Sequence, residues 1–130
     1  MKLSQVNEYA SGLDNVTIGT RWNNKTWLVN ERGFAWQRPL TKADIGRYGD
    51  VTPPHGEIIA ITTEDLDAKD ALLAMELPGF FTIEHFNNYP AVLVELRLAR
   101  VRDVKAAIQS AYRWVAAMPA PKKRKPKKKR

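Results

Sequence analysis

Trp27-Leu28-Val29-Asn30-Glu31-Arg32-Gly33-Phe34-Ala35-Trp36 decides the fold class. Trp27 and Val29 alternate with other residues at a period of two, as a half-buried strand does. Asn30-Glu31-Arg32-Gly33 reads as a turn, with Gly33 free to take positive φ. Phe34-Ala35-Trp36 returns as a second strand, and Pro39 ends it. Two strands joined by so short a turn must be antiparallel.

Working outward toward Met1, Val16 and Ile18 extend the strand pattern. Before them Val6, Tyr9, Ala10 and Leu13 fall at helical spacing, with Ser4 placed as the cap and Gly12 as the stop. Toward the other end, Thr41-Lys42-Ala43-Asp44 resembles a capping box that opens a short helical turn closed by Gly46 or Gly49. Residues 50–56 contain two prolines and a glycine and form a loop. Glu57 to Thr62, with Ile58, Ile59 and Ile61, reads as a buried strand. Thr63 is placed to cap a helix whose Leu66, Leu72 and Leu73 supply the buried side, and Pro78-Gly79 breaks it. Phe80 to Phe86 and Val92 to Leu98 read as a second hairpin turning at Asn87-Asn88. A last helix spans about Asp103 to Met118, with Val104, Ile108, Ala111 and Val115 on its inner face. The expected class is α+β: a two-layer sandwich with one curved antiparallel sheet, in the order helix, strands, helix, strand pair, helix.

The chain of 130 residues is one domain's worth and has no cysteine, so disulfides, thiolate zinc sites and cysteine nucleophiles are excluded. The net charge is +7, but eight of the nine residues from Lys122 to Arg130 are Lys or Arg. Removing those eight leaves 13 basic against 14 acidic residues, a net of −1. The expected organisation is a folded body over 1–118 and a disordered cationic tail over 119–130. Met1-Lys2 leads into a mixed polar stretch, and no apolar run is long enough to span a membrane. A cytoplasmic, nucleoid-associated protein is expected.

Three blocks resemble the YjbR-like (MmcQ-like) family, described as double-wing DNA-binding proteins. The first runs from Trp27 through Gln37-Arg38-Pro39-Leu40, with Asp44 and Gly49 following at similar places. The second is Lys69-Asp70-Ala71-Leu72-Leu73-Ala74. The third is Phe80-Phe81-Thr82-Ile83-Glu84-His85-Phe86-Asn87-Asn88-Tyr89-Pro90-Ala91-Val92-Leu93-Val94, where relatives often carry Asp-Gly in place of Asn87-Asn88. Ala111-Tyr112-Arg113 also fits. The resemblance covers about Val6 to Met118. It implies an α/β sandwich similar in shape to type III secretion chaperones, with two strand pairs projecting as wings and a DNA-binding role. It brings no catalytic motif, and the cationic run lies outside it.

The cationic run is the strongest functional signal. Lys122, Lys123, Arg124, Lys125, Lys127, Lys128, Lys129 and Arg130 would release counterions from DNA or RNA phosphates without reading sequence. In the body, residues 21–47 and 97–113 are rich in Arg and Lys, while 57–84 carry seven acids against Lys69. The candidate phosphate contacts are Arg32 at the tip of the first wing, Arg38, and Arg97, Arg100 and Arg102 near the second. Trp22, Trp27, Trp36 and Trp114 are of the type that stacks on bases. Strand and helix aromatics are usually core, and Trp22, beside Asn23-Asn24, is the exposed candidate. Gly46-Arg47-Tyr48-Gly49 spells a KH-type clamp but follows a single helical turn, so a helix stop is the better reading. His55 and His85 have no third ligand at metal spacing. Alternation along a strand would send Glu84 and His85 to opposite faces. A small-molecule pocket would lie at His85 and Tyr89.

No Walker loop, dinucleotide fingerprint or serine elbow occurs, so no cofactor, metal or enzymatic activity is expected. Three readings stay open: a DNA-associated protein, a protein-interaction module that holds a partner peptide or a second copy on a chaperone-like sheet, and a small-molecule binder near His85.

Overall fold

A computed structural model describes residues 1–119. The cationic run from Lys122 to Arg130 lies outside the described residues. The fold is α+β, with elements α1 (Leu3–Ser11), β1 (Thr17–Arg21), β2 (Asn24–Val29), β3 (Arg32–Gln37), α2 (Lys42–Gly46), β4 (Ile58–Thr62), α3 (Leu66–Ala74), β5 (Phe80–Phe81), a 3-10 turn at Glu84–Phe86, β6 (Ala91–Glu95) and α4 (Val101–Ala116). The strands form one six-stranded sheet in the order β1-β2-β3-β4-β6-β5. Every pairing is antiparallel.

The sheet is buried on both faces at its centre. In β4, Ile59 and Ile61 join a main core with α1, α4 and the Leu72–Leu73 side of α3, while Ile58 and Ala60 face a smaller cluster. β6 divides the same way, Val92 and Val94 against Ala91 and Leu93. This two-sided burial is why both strands read as unbroken apolar runs. The smaller cluster is closed by Ile83, Phe86 and Leu40. The expectation that helices cover one face holds for α1 and α4, but the other face is also covered, by loop residues and the 3-10 turn. Phe34 and Ala35 are neighbours yet both enter the main core. A register shift opposite Trp27 and Leu28 permits this, because a bulge breaks the alternation.

Both first hairpins close through two-residue turns with positive φ. In one, Trp22 has φ 49 and Asn23 φ 62; in the other, Asn30 has φ 52 and Glu31 φ 63. Two successive left-handed residues are the I′ geometry that matches strand twist, and asparagine tolerates it. This corrects the expectation for Gly33, which lies inside β3 rather than at the turn. Asn30 donates to the carbonyls of Ala116 (3.1 Å) and Met118 (3.2 Å), so the second turn is tied to the end of α4.

Several boundaries also differ from the sequence reading. Lys2 rather than Ser4 occupies the first N-cap, where its backbone N–H donates to the Gln5 side chain. Asp65 rather than Thr63 caps α3, accepting from the Ala68 N–H at 2.7 Å, as a carboxylate at a helix N-terminus favours. Leu66 is exposed, and the buried residue of α3 is Lys69. The second hairpin is much shorter than expected, because β5 ends at Phe81 and residues 84–86 coil into the 3-10 turn.

Gly79 explains the sharp entry to β5. It has φ +83, and a Cβ there would sit 2.6 Å from the Glu95 carbonyl oxygen. Only glycine allows this approach without strain.

Candidate nucleic-acid interface

The arginines nominated from sequence do not form one free cationic face. Arg32 does flank the β2–β3 turn, paired with Val29, but its side chain lies along the end of α4, donating to the Pro119 carbonyl at 3.5 Å, while its Nε is buried without a partner among the described residues. Arg97 pairs with Glu95 at 2.6 Å, and Arg100 with Asp103 at 2.6 Å. Arg102 is 3.9 Å from the same Asp103 carboxylate. These three cluster at the β6–α4 connection, each beside a carboxylate that offsets its charge. Arg97 lines a cleft with Met1, Lys2 and Glu57, apart from the one that Arg38 lines.

Arg38 leaves β3 beside α2. It donates to Asp44 at 3.2 Å and lies over the Phe86 ring at 5.4 Å. Asp44 is only 2% exposed and also accepts from Arg47 at 3.2 Å. The Thr41 N–H donates to its carboxylate at 2.9 Å, while the Asp44 N–H donates to the Thr41 hydroxyl at 3.2 Å. The capping box foreseen from Thr41 to Asp44 is therefore formed, with its acid doubling as an ion-pair hub. Burial pushes the Asp44 carboxyl upward, but the Thr41 bonds and the Arg38 charge outweigh it and hold the group below its ordinary range.

The structure brings together a different set, a cleft of about 210 Å³. Its floor is Trp36 and Phe86, both buried. Tyr89 stands edge-on to each, with ring centroids 6.2 Å from Trp36 and 5.3 Å from Phe86. His85 and Tyr89, the residues picked for a pocket, both line it and are exposed. His85 is there because residues 84–86 coil; the strand alternation expected for Glu84 and His85 does not occur.

The tip of the β1–β2 hairpin lines the same cleft. Trp22 is 83% exposed, and the Arg21 guanidinium lies 5.9 Å from its ring. By contrast Trp27 is fully buried, its indole N–H donating to Asn7 at 3.2 Å, and Trp114 packs against the core. The lining thus holds two guanidinium groups, an imidazole and four aromatic rings, and no carboxylate. Among the described residues Arg21 makes no ion pair. The groove between α3 and α4 is of the opposite kind, lined by Glu64 and Asp103 with no cation.

Lys69 holds the far wall. Its ammonium is buried under the 84–90 segment and donates to the carbonyls of Phe86 and Tyr89, the latter at 2.9 Å. Burial pushes its pKa down, opposed by the charge of Asp70. Arg21 and Lys69 were not picked out as functional from sequence. Asn23-Asn24 carried the available signal for the tip, since asparagines that accept positive φ mark a tight hairpin. Nothing local marks Lys69, whose partners lie 17 and 20 residues away.

Among the described residues no group of three or more His, Cys, Asp or Glu is placed to hold a metal ion. No helix among them is long and apolar enough to cross a membrane.

No family model and no solved structure matches the chain. It is similar to an uncharacterised protein of Mycobacterium tuberculosis and to one of Mycobacterium bovis. Each is 42% identical over 99 residues, which cover 74% of this chain and 73% of the relative. The chain belongs to the same family as these uncharacterised mycobacterial proteins.

Proposed function

We propose that the protein binds nucleic acid and acts by binding rather than by catalysis. The cationic run from Lys122 to Arg130 supplies phosphate affinity without sequence preference, and the Arg21–Trp22 hairpin tip is the body's own contact. The observation that carries the body's part is Trp22. A large aromatic 83% exposed on a tight turn, beside a guanidinium that makes no ion pair among the described residues, is suited to stacking on a base. The double-wing resemblance belongs to the same reading; the first wing it implies, at Trp27–Trp36, is the β2–β3 hairpin next to this tip. The offset charges of Arg97, Arg100 and Arg102 argue against the β6–α4 connection as a second phosphate surface.

The test is binding of labelled DNA across a salt series, by the full chain and by a chain ending at Pro119, which keeps the contact to Arg32. If all eight charges of the run engage phosphate, the log–log slope of the full chain reaches about −7. The shortened chain retains weaker binding with a smaller slope. Binding that vanishes with the run would remove the body from the interface, and no binding by either chain would end the reading.

A further inference from the structure

We propose that the cleft between the β1–β2 hairpin tip and residues 85–89 takes a single nucleobase together with its phosphate, either as a free mononucleotide or as one splayed-out nucleotide of a single strand. The strand form of this inference rests on the nucleic-acid reading above and deepens it, since it names the unit recognised.

The chemistry of the lining selects this class. Trp36, Phe86 and an edge-on Tyr89 give the cleft an aromatic lining, which suits a planar heterocycle. Trp22 joins this lining from a separate element, the β1–β2 turn. Neither a carboxylate nor an ammonium lines it, which disfavours a cationic ligand and a bare metal ion. The charge present is guanidinium, whose planar fork suits phosphate oxygens. Arg38 is held at the rim by Asp44 and by the carbonyl of Pro39, whereas Arg21 is exposed and makes no ion pair among the described residues. Arg21 is therefore the phosphate contact, while Arg38, its charge offset by Asp44, shapes the rim. A paired base is closed to the cleft on its stacking faces, so the occupant is unpaired.

The two flanks are held by different devices. The tip is fixed by two consecutive left-handed residues, and the 85–89 segment by the buried Lys69. Each device holds its own flank without a ligand.

The experiment uses the full chain at moderate salt, with three probes: adenosine monophosphate, inorganic phosphate and a labelled short oligothymidylate. Tryptophan fluorescence reports the nucleotide and anisotropy the oligonucleotide. Trp22→Ala, a change at an exposed position, is measured beside the wild type. Saturable quenching by adenosine monophosphate that phosphate does not reproduce, weakened about tenfold or more in the variant, supports the free nucleotide as the source. No effect of the mononucleotide, with oligothymidylate affinity falling by a similar factor in the variant, supports the strand. Oligothymidylate bound equally by both proteins, with no quenching by the mononucleotide, overturns the cleft while leaving the nucleic-acid reading standing. Failure of every probe to bind overturns both.

Discussion

Replacing Lys69 by methionine tests how the wall of the cleft is held. Lys69 is 3% exposed and donates to the carbonyls of Phe86 and Tyr89. Methionine keeps the apolar stem and removes the donor. Each hydrogen bond from a charged group contributes roughly 1.5–3 kcal/mol net. Neither carbonyl is left bare by the change, because Phe86 still accepts from the Tyr89 N–H at 3.0 Å and Tyr89 from the Ala91 N–H at 2.8 Å. The lower end of the range applies to both bonds, and the expected loss is about 3 kcal/mol. For a chain of this size that lowers Tm by on the order of 10 °C. The sign with pH follows from burial, which lowers the folded-state pKa of Lys69. Such a group adds stability as pH rises through its folded value, fully so only above the unfolded value of about 10.4. The stability gap between wild type and variant is therefore wider near pH 10 than near pH 7. Urea unfolding at both conditions measures it. A loss below about 1 kcal/mol, or a gap that narrows in alkali, refutes Lys69 as the anchor of this segment.

Asp44→Asn should cost about 2 kcal/mol near neutral pH, since one buried carboxylate serves a cap and two arginines. Its depressed pKa contributes stability that is present above the unfolded value of about 3.9 and lost as pH falls through the folded value, so the variant should lose less stability in acid than wild type does. Denaturant unfolding at neutral and acid pH reads both effects. Gly79→Ala forces a Cβ onto the Glu95 carbonyl at φ +83 and should destabilise by about 3 kcal/mol; a thermal melt unchanged from wild type would contradict the geometry. Trp22→Ala should leave stability within about 0.5 kcal/mol of wild type. Trp27→Ala, at a fully buried ring, should cost about 4 kcal/mol, and calorimetry of the pair separates surface from core.

The antiparallel sheet was legible because Trp27–Val29 and Phe34–Trp36 flank a short turn, and because β4 is apolar at nearly every position. What misled were local competitors. Gly33 attracts the turn because glycine accepts positive φ, yet Asn30 and Glu31 take it, one of them anchored on α4 across 86 residues. Residues 80–86 read as one strand by composition, but the sheet ends at Phe81 and the buried Lys69 satisfies carbonyls beyond it. His85 and Tyr89 were identifiable from sequence as cleft residues; their partners Arg21, Trp22, Trp36 and Arg38 were not grouped with them. Those four lie more than forty positions away, and only the sheet order carries them to the same opening. Arg97, Arg100 and Arg102 looked available because sequence counts charges without pairing them, whereas Glu95 and Asp103 stand within reach in the fold.

The measurement that bears most directly on the body's role is photocross-linking of the full chain to a single strand carrying bromodeoxyuridine, followed by peptide mapping. Adducts are expected on the peptide containing Trp22 in addition to any on residues 120–130. Adducts confined to residues 120–130, at protein concentrations that saturate the strand, would contradict a role for the hairpin tip.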